Sequence, residues 1–246
     1  MINAKDISIL IVDDDPELLE SITSLFSIFG FSVDDATGGV PAWEKVQAKK
    51  YDIIISDVKM PDMNGLELLK KVRSIDAFNP KVLLISGHTE HPIEDMLELG
   101  ANGFFSKPFN ATAVRDSLTQ TLLSPADRWS RPTKKFGAKP IHKKFDSFSI
   151  ARSQHDFNFG QSGFFIHLED GLPLAGDHVD FDIEFKDSNP FRKFTGSGHV
   201  AWARHESDGD FKAGVGVQID YLDDFTLKNF IEWADTNKPT ATVPKG

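Results

Sequence analysis

Short apolar runs alternate with amphipathic stretches through the first half of the chain. Apolar, β-branched runs predict strands over Ile7–Val12, Phe31–Asp35, Asp52–Ser56, Val82–Ser86 and Gly103–Ser106. Between and after them, apolar residues recur at helical spacing over 16–29, 39–49, 65–74, 91–99 and 110–123. Local chemistry agrees. Asp15-Pro16-Glu17 offers an acidic N-cap followed by Pro at the first helical position. Gly30 and Gly100 stand where a C-terminal cap belongs. Five such βα units predict an α/β, doubly wound, five-stranded parallel sheet over 1–124, with helices on both faces. Ligands of such sheets bind beyond the carboxyl ends of the strands. The pattern puts Asp13-Asp14, Asp57, Ser86 and Lys107 there.

The second half changes class. Phe145–Ile150, Gly163–His167, His178–Phe185, Gly198–Arg204 and Gly214–Ile219 are aromatic and β-branched segments, each read as a strand. Turn clusters such as Asp170-Gly171, Asp187-Ser188-Asn189-Pro190 and Ser207-Asp208-Gly209-Asp210 separate them. Val179–Phe185 alternates strictly, one face apolar and the other acidic. Thr226–Ala234 has a helical period. These features predict a small antiparallel, all-β barrel or sandwich over 141–238, closed by a C-terminal helix, with 239–246 as a tail.

Composition and charge narrow the classes. With 246 residues, 40% hydrophobic and 26% charged, the chain reads as a soluble globular protein of two domains. It holds no cysteine, so disulfides and thiolate metal sites are excluded. No run is long and apolar enough for a membrane span, and no export signal opens the chain, so a cytoplasmic location is expected. The net charge of −10 is uneven, because residues 126–144 carry seven basic side chains and one acidic. A basic linker over 125–140 between two acidic bodies is therefore expected, and binding to DNA is disfavoured. His142, His155, His167, His178, His199 and His205 show no metal-ligand spacing.

The chemistry concentrates in the first half. A phosphoryl group arriving on a carboxylate needs its charge neutralised and its oxygens held in line. Asp13, Asp14 and Asp57 make an oxygen-rich site suited to Mg²⁺, and the backbone carbonyl of Lys59 is a further ligand. Lys107 can pair with Asp57 or with phosphoryl oxygens, and Ser86 can donate its hydroxyl to the modified oxygen. Taken singly these are weak signals: alone, Asp13-Asp14-Asp15 is more often a helix-capping acidic turn, and Phe104 more often plain core.

Together the residues resemble the receiver domain of two-component response regulators. The matching pieces are Ile11–Asp15, Ser56–Gly65, Ile85-Ser86-Gly87 and Gly103–Phe109, within about 1–123. The resemblance implies that a histidine kinase or phosphotransfer protein phosphorylates Asp57, with Mg²⁺ on Asp13, Asp14 and Asp57. It also implies that Ser86 and Phe104 act as a coupled switch, Phe104 lacking the hydroxyl of a Tyr. Self-catalysed phosphorylation and dephosphorylation are the only enzymatic steps expected. The Asp13-x-Asp15 pair is also similar to haloacid-dehalogenase-type phosphatases, but that family needs a later acidic pair where this chain has Asp57 alone.

Asn158-Phe159-Gly160-Gln161-Ser162-Gly163 resembles the Asp/Asn-x-Ser-x-x-Gly turn of PilZ domains, with further similarity in Pro173–Val179, Gly196–Trp202 and Gly214–Ile219. The resemblance covers about 140–235 and implies a six-stranded barrel, which in many members binds cyclic di-GMP. The ligand residues it implies are Arg131, Lys134, Lys135, Asn158, Gly160 and Gly163. The family's second arm Arg is a Lys here, which cannot make a bidentate fork, and Gly160 replaces the Ser hydroxyl. Three outputs therefore stay open: a phosphorylation-switched PilZ-like domain, a cyclic di-GMP effector, or a nucleotide-independent adaptor for a protein target. Phosphorylation-dependent homodimerisation is a further expectation.

Overall fold

The computed structural model describes residues 3–87, 92–130, 138–187 and 192–246. The chain divides into two compact units, Met1–Pro92 with Leu99–Leu122, and Ile93–Glu98 with Leu123–Gly246.

In the first unit the strands are β1 (Ser8–Val12), β2 (Ser32–Ala36), β3 (Ile53–Asp57), β4 (Lys81–Ser86) and β5 (Gly103–Ser106). They form one parallel sheet in the order β2-β1-β3-β4-β5. The helices are α1 (Pro16–Ile28), α2 (Gly39–Ala48), α3 (Gly65–Ile75) and α5 (Ala111–Leu122), while α4 (Ile93–Glu98) belongs to the second unit. Ile9, Ile11, Ile53, Ile55, Leu83 and Ile85 pack with Leu19, Ile22 and Phe26 of α1 and Val114 and Leu118 of α5. The residues between them, Leu10, Ile54 and Leu84, are equally buried and point to the opposite face, as the strand period requires. A sheet buried on both faces explains the unbroken apolar runs of the sequence. Capping fixes the helix starts. Asp15 accepts from the N–H groups of Glu17 and Leu18, and Asn64 and Glu67 form a reciprocal capping box on α3.

Buried Arg73 ties α3 to the sheet edge, donating to the carbonyls of Gly100 and Pro80 and to Asn102 Oδ1. Burial pulls its pKa down to about 10, so it stays charged at neutral pH.

The second unit is built on β6 (Lys139–Phe145), β7 (Phe157–Phe159), β8 (Gly163–His167), β9 (His178–Phe185), β10 (Lys193–Arg204) and β11 (Gly214–Leu222). Its helices are α4, α6 (Pro125–Trp129), α7 (Phe148–Ser153) and α8 (Asp224–Asn237). The six strands pair in the order β6-β9-β10-β11-β8-β7. The sheet is mixed, a half-barrel, because β6 runs parallel to β9 while the other pairs are antiparallel. This corrects the expectation of an antiparallel, all-β barrel. The core is aromatic: Phe157, Phe159, Phe164, Phe181, Phe185, Phe194, Phe230 and Trp129 are buried together. Phe181 and Phe194 stack with centroids 5.0 Å apart, and Phe159 meets Phe194 edge-on at 4.9 Å.

Three local readings differ. Residues 125–129, expected as linker, form α6, capped by Ser124 with Pro125 in its first turn, and Trp129 enters the core. The expected strand Phe145–Ile150 ends at Phe145; the Ser147 side chain accepts from Ile150 N–H and starts α7 instead. The basic stretch Lys139–Lys144 is an edge strand, with Ile141 turned inward. Among the described residues no helix is long and apolar enough to cross a membrane.

Candidate functional site

Parallel strands β1 and β3 are neighbours in register, Val12 opposite Ser56, so the residues after them meet at one sheet edge. Asp13 follows β1, and Asp57 ends β3. Asp57 lies opposite Ile85 of β4, whose next residue is Ser86, and Ser86 lies opposite Ser106, one residue before Lys107. Sheet register thus brings Asp13, Asp57, Ser86 and Lys107 to one end, although 94 residues separate the first from the last.

Lys107 organises the group. Its Nζ stands 2.8 Å from Asp13 Oδ2 and 2.5 Å from Asp57 Oδ1. The Lys107 backbone N–H donates to the Ser86 carbonyl at 2.8 Å, anchoring the stem of the side chain. The other carboxylate oxygens are held locally: Asp57 Oδ2 accepts from Lys59 N–H at 2.6 Å, and Asp13 Oδ1 from Asp15 N–H at 3.0 Å. Asp13, Asp57 and Ser86 are buried, while Asp14 and Lys59 are exposed. The loop after β3 is drawn tight by Gly65, whose N–H donates to the Val58 carbonyl at 2.9 Å. A Cβ there would lie 2.2 Å from the Asp57 carbonyl oxygen, which excludes any larger residue without a backbone shift.

Two buried carboxylates facing one ammonium leave the site net negative. Burial pushes the Asp57 carboxyl above its ordinary range and Asp13 adds to this, with the Lys107 ammonium opposing both. Burial alone would lower the Lys107 pKa, but its bonds to Asp13 and Asp57 outweigh that and raise it, so Lys107 is a fixed cation. The donor set is all hard oxygen, the type Mg²⁺ takes with several waters retained. Among the described residues no three acidic or imidazole groups already surround one point. Lys107 holds Asp13 and Asp57 in place, and Asp14 is one residue away from the pair. Phe104 lies on β5 opposite Leu84 and is half-buried.

In the second unit, Asn158 lies on β7, and the turn Gly160–Ser162 leads into β8. The Gly160 N–H donates to the Gly163 carbonyl at 2.8 Å, closing the turn. Its outward donors are taken. The N–H groups of Gln161 and Ser162 bond to the carbonyls of Ala241 and Thr242 at 2.7 and 3.1 Å. A Cβ on Gly160 would lie 2.6 Å from both carbonyl oxygens, and one on Gly163 would lie 2.6 Å from Val243 Cγ2. Arg131, Lys134 and Lys135 lie outside the described residues, as do 188–190 of the expected turn cluster. The turn is therefore placed next to a segment that the sequence reading treated as a tail. The one signal for it was Val243, a lone β-branched apolar residue in an otherwise polar, Pro-flanked stretch.

Comparison with known proteins follows the same division. The response regulator receiver domain model matches residues 9–119. The chain is 38% identical over 103 residues to the transcriptional regulatory protein CpxR homolog of Haemophilus influenzae, covering 42% of this chain and 44% of that protein. It is 33% identical over 123 residues to sporulation initiation phosphotransferase F of Bacillus subtilis, covering 50% of this chain and 96% of that protein. The chain thus spans less than half the length of the first relative and nearly all of the second. Response regulator protein TrrA of Thermotoga maritima, solved in complex with Mg²⁺–BeF, shares 26% identity over 47% of this chain and 99% of that one, with a TM-score of 0.44. By its relatives and its family match, this chain belongs, through its first half, to the response regulator receiver domain family.

Proposed function

We propose that the protein is a phosphorelay response regulator whose Asp57 accepts a phosphoryl group and whose PilZ-like second unit delivers the output. The observation that carries this reading is the single ammonium of Lys107 joining Asp13 and Asp57 at the carboxyl edge of the sheet. In the proposed step an Asp57 oxygen attacks the phosphorus of a phosphohistidine on a kinase or phosphotransfer protein. The P–N bond breaks as the P–O bond forms, and the histidine leaves with the electron pair. Asp57 must be ionised to attack, and Lys107 favours that form against the cost of burial. Lys107 then offers its charge to the incoming phosphoryl oxygens, and the Ser86 hydroxyl donates to one of them. Asp13, Asp14, Asp57 and the Lys59 carbonyl are the residues that would hold Mg²⁺, which supplies further charge neutralisation when bound.

Arrival of a dianionic group changes what Lys107 and Ser86 bond to, and that local change is the proposed start of the switch. The test is incubation with acetyl phosphate and Mg²⁺ followed by intact-protein mass measurement. Gain of one phosphoryl group by wild type and none by Asp57→Ala supports the reading; equal gain by both would overturn it.

For the output we favour docking of a protein target on the second unit over binding of cyclic di-GMP. The turn donors Gln161 and Ser162 are already engaged by the chain, so a nucleotide phosphate there has to displace Ala241 and Thr242. Calorimetry with cyclic di-GMP on the full chain decides between them. Saturable heat would establish the nucleotide reading and remove the preference for docking.

A further inference from the structure

Thr240–Gly246 has no strand or helix of its own and bends at Thr242 and Val243, yet Ala241–Pro244 is among the better buried parts of the second unit. Val243 is fully buried and Thr242 is 1% exposed. Val243 sits in a small apolar cluster with Phe165 of β8, Trp202 of β10 and Leu97 of α4, separate from the aromatic core. Phe165 and Trp202 stack with centroids 5.7 Å apart and form its floor. The floor is made possible by Gly216, where a Cβ would lie 2.2 Å from the Trp202 indole.

The segment is held from two sides by hydrogen bonds of its main chain. On one side the carbonyls of Thr240, Ala241 and Thr242 accept from the Gln161 side chain, Gln161 N–H and Ser162 N–H. On the other side, Thr242 N–H donates to the Leu97 carbonyl at 2.9 Å and Lys245 N–H to Glu98 at 2.8 Å. The Lys245 ammonium pairs with Asp95. Main-chain bonds, one apolar side chain buried in an apolar cluster and one cation against acids are the elements of peptide recognition.

The fit is incomplete. Asn158 Oδ1, Trp202 Nε1 and Thr242 Oγ1 are buried with no hydrogen-bond partner among the described residues. Asn158 lies opposite Phe165 in the β7–β8 pair, so it faces the same side as the floor. Three unpaired polar atoms around one docked segment mean that a ligand able to pair them would compete with it.

We propose that the Asn158–Gly163 turn, the Phe165–Trp202 stack and the acidic side of α4 form a peptide-docking site, filled in cis by Thr240–Gly246. Its partner in trans is a basic protein segment with a β-branched apolar residue two positions before a Lys or Arg. The charge follows from Asp95 and Glu98, which receive Lys245 and its N–H. The same acids disfavour an anionic ligand on that side. This inference deepens the docking reading of the second unit and rests on it. It is measured without any phosphoryl donor, so its failure leaves the Asp57 reading standing.

The experiment uses the full chain and a fluorescent peptide, Thr-Ala-Thr-Val-Pro-Lys-Gly, read by anisotropy. Val243→Asp puts a charge in the apolar hole and undocks the cis segment. That variant is expected to bind the peptide saturably, about tenfold or more tighter than wild type, whose own segment competes. A peptide with Asp at the Val position is expected not to bind. Should Val243→Asp fail to fold by circular dichroism, Val243→Ala serves as the acceptor, with the same outcomes expected in weaker form. A folded acceptor that ignores the peptide, or wild type binding it equally well, would sink the proposal.

Discussion

The two units place a similar resource, a turn beyond a strand end, in opposite states. In the first unit, the groups at the strand ends converge on one another, and the Lys107 ammonium pairs with both Asp13 and Asp57. In the second, the donors of the Asn158–Gly163 turn are directed outward and are met by Ala241 and Thr242 from 79 or more residues later. A site built from side chains across neighbouring strands is fixed by sheet register. A site built from outward N–H groups depends on whatever segment comes to cover it.

Changes that break each unit separately sharpen the contrast. The largest effect is expected at Asp57: Asp57→Ala removes the proposed nucleophile and should abolish phosphoryl uptake from acetyl phosphate, read as loss of the whole mass shift. Next in size is Gly65→Ala. The new methyl meets the Asp57 carbonyl oxygen at 2.2 Å, where only backbone can yield. Overpacking of that kind costs about 3 kcal/mol, measurable by urea denaturation. Gly160→Ala makes the comparable clash in the second unit, 2.6 Å from the Ala241 and Thr242 carbonyls. There the segment can leave, so the cost is expected to be only about 1 kcal/mol, with faster amide exchange at Gln161 and Ser162. Equal losses for the two glycines would contradict the distinction drawn between the units.

Lys107→Ala is expected to cost about 2 kcal/mol, because it leaves Asp13 and Asp57 buried without their shared cation; partial exposure of Lys107 keeps the figure below that of a fully buried pair. Denaturation of the variant at neutral pH checks it, and a change near zero would mean that solvent screens the pair. The smallest effect concerns pH. The folded pKa of Asp57 lies above its ordinary 3.8, so its ionisation costs stability in full above the folded pKa, less as pH falls through it, and nothing below 3.8. Asp57→Asn is therefore expected to melt higher than wild type at neutral pH. The advantage should shrink as acid protonates Asp57 in the wild type. Melting curves across the acid range test the sign.

The receiver half was legible because its signals are local and redundant. Ile53–Ile55 is apolar throughout since both sheet faces are covered, and Asp15-Pro16 and Asn64–Glu67 mark the helix starts in the sequence itself. What went unread in the second half depends on distant partners. The stretch Lys139–Lys144 looks like a solvated linker by charge, yet its pairing with β9 makes it an edge strand, where Lys and Pro are tolerated. Trp129 reads as one aromatic in a basic stretch until Phe230 is placed beside it, 5.5 Å between centroids. Ser147 interrupts a run that is β-prone by composition, because a capping hydroxyl outweighs weak strand propensity. The role of Thr240–Gly246 had no local signal beyond Val243, since its bonds are made by backbone atoms that every residue carries.

The central claim is that phosphorylation of Asp57 is felt in the second unit. Hydrogen exchange on the full chain, with and without acetyl phosphate and Mg²⁺, tests it most directly. The account predicts changed exchange at Gln161, Ser162 and Thr242 in wild type under phosphorylating conditions, and none in Asp57→Ala. A wild-type chain that gains its phosphoryl group, yet shows unaltered exchange throughout Leu123–Gly246, would contradict it.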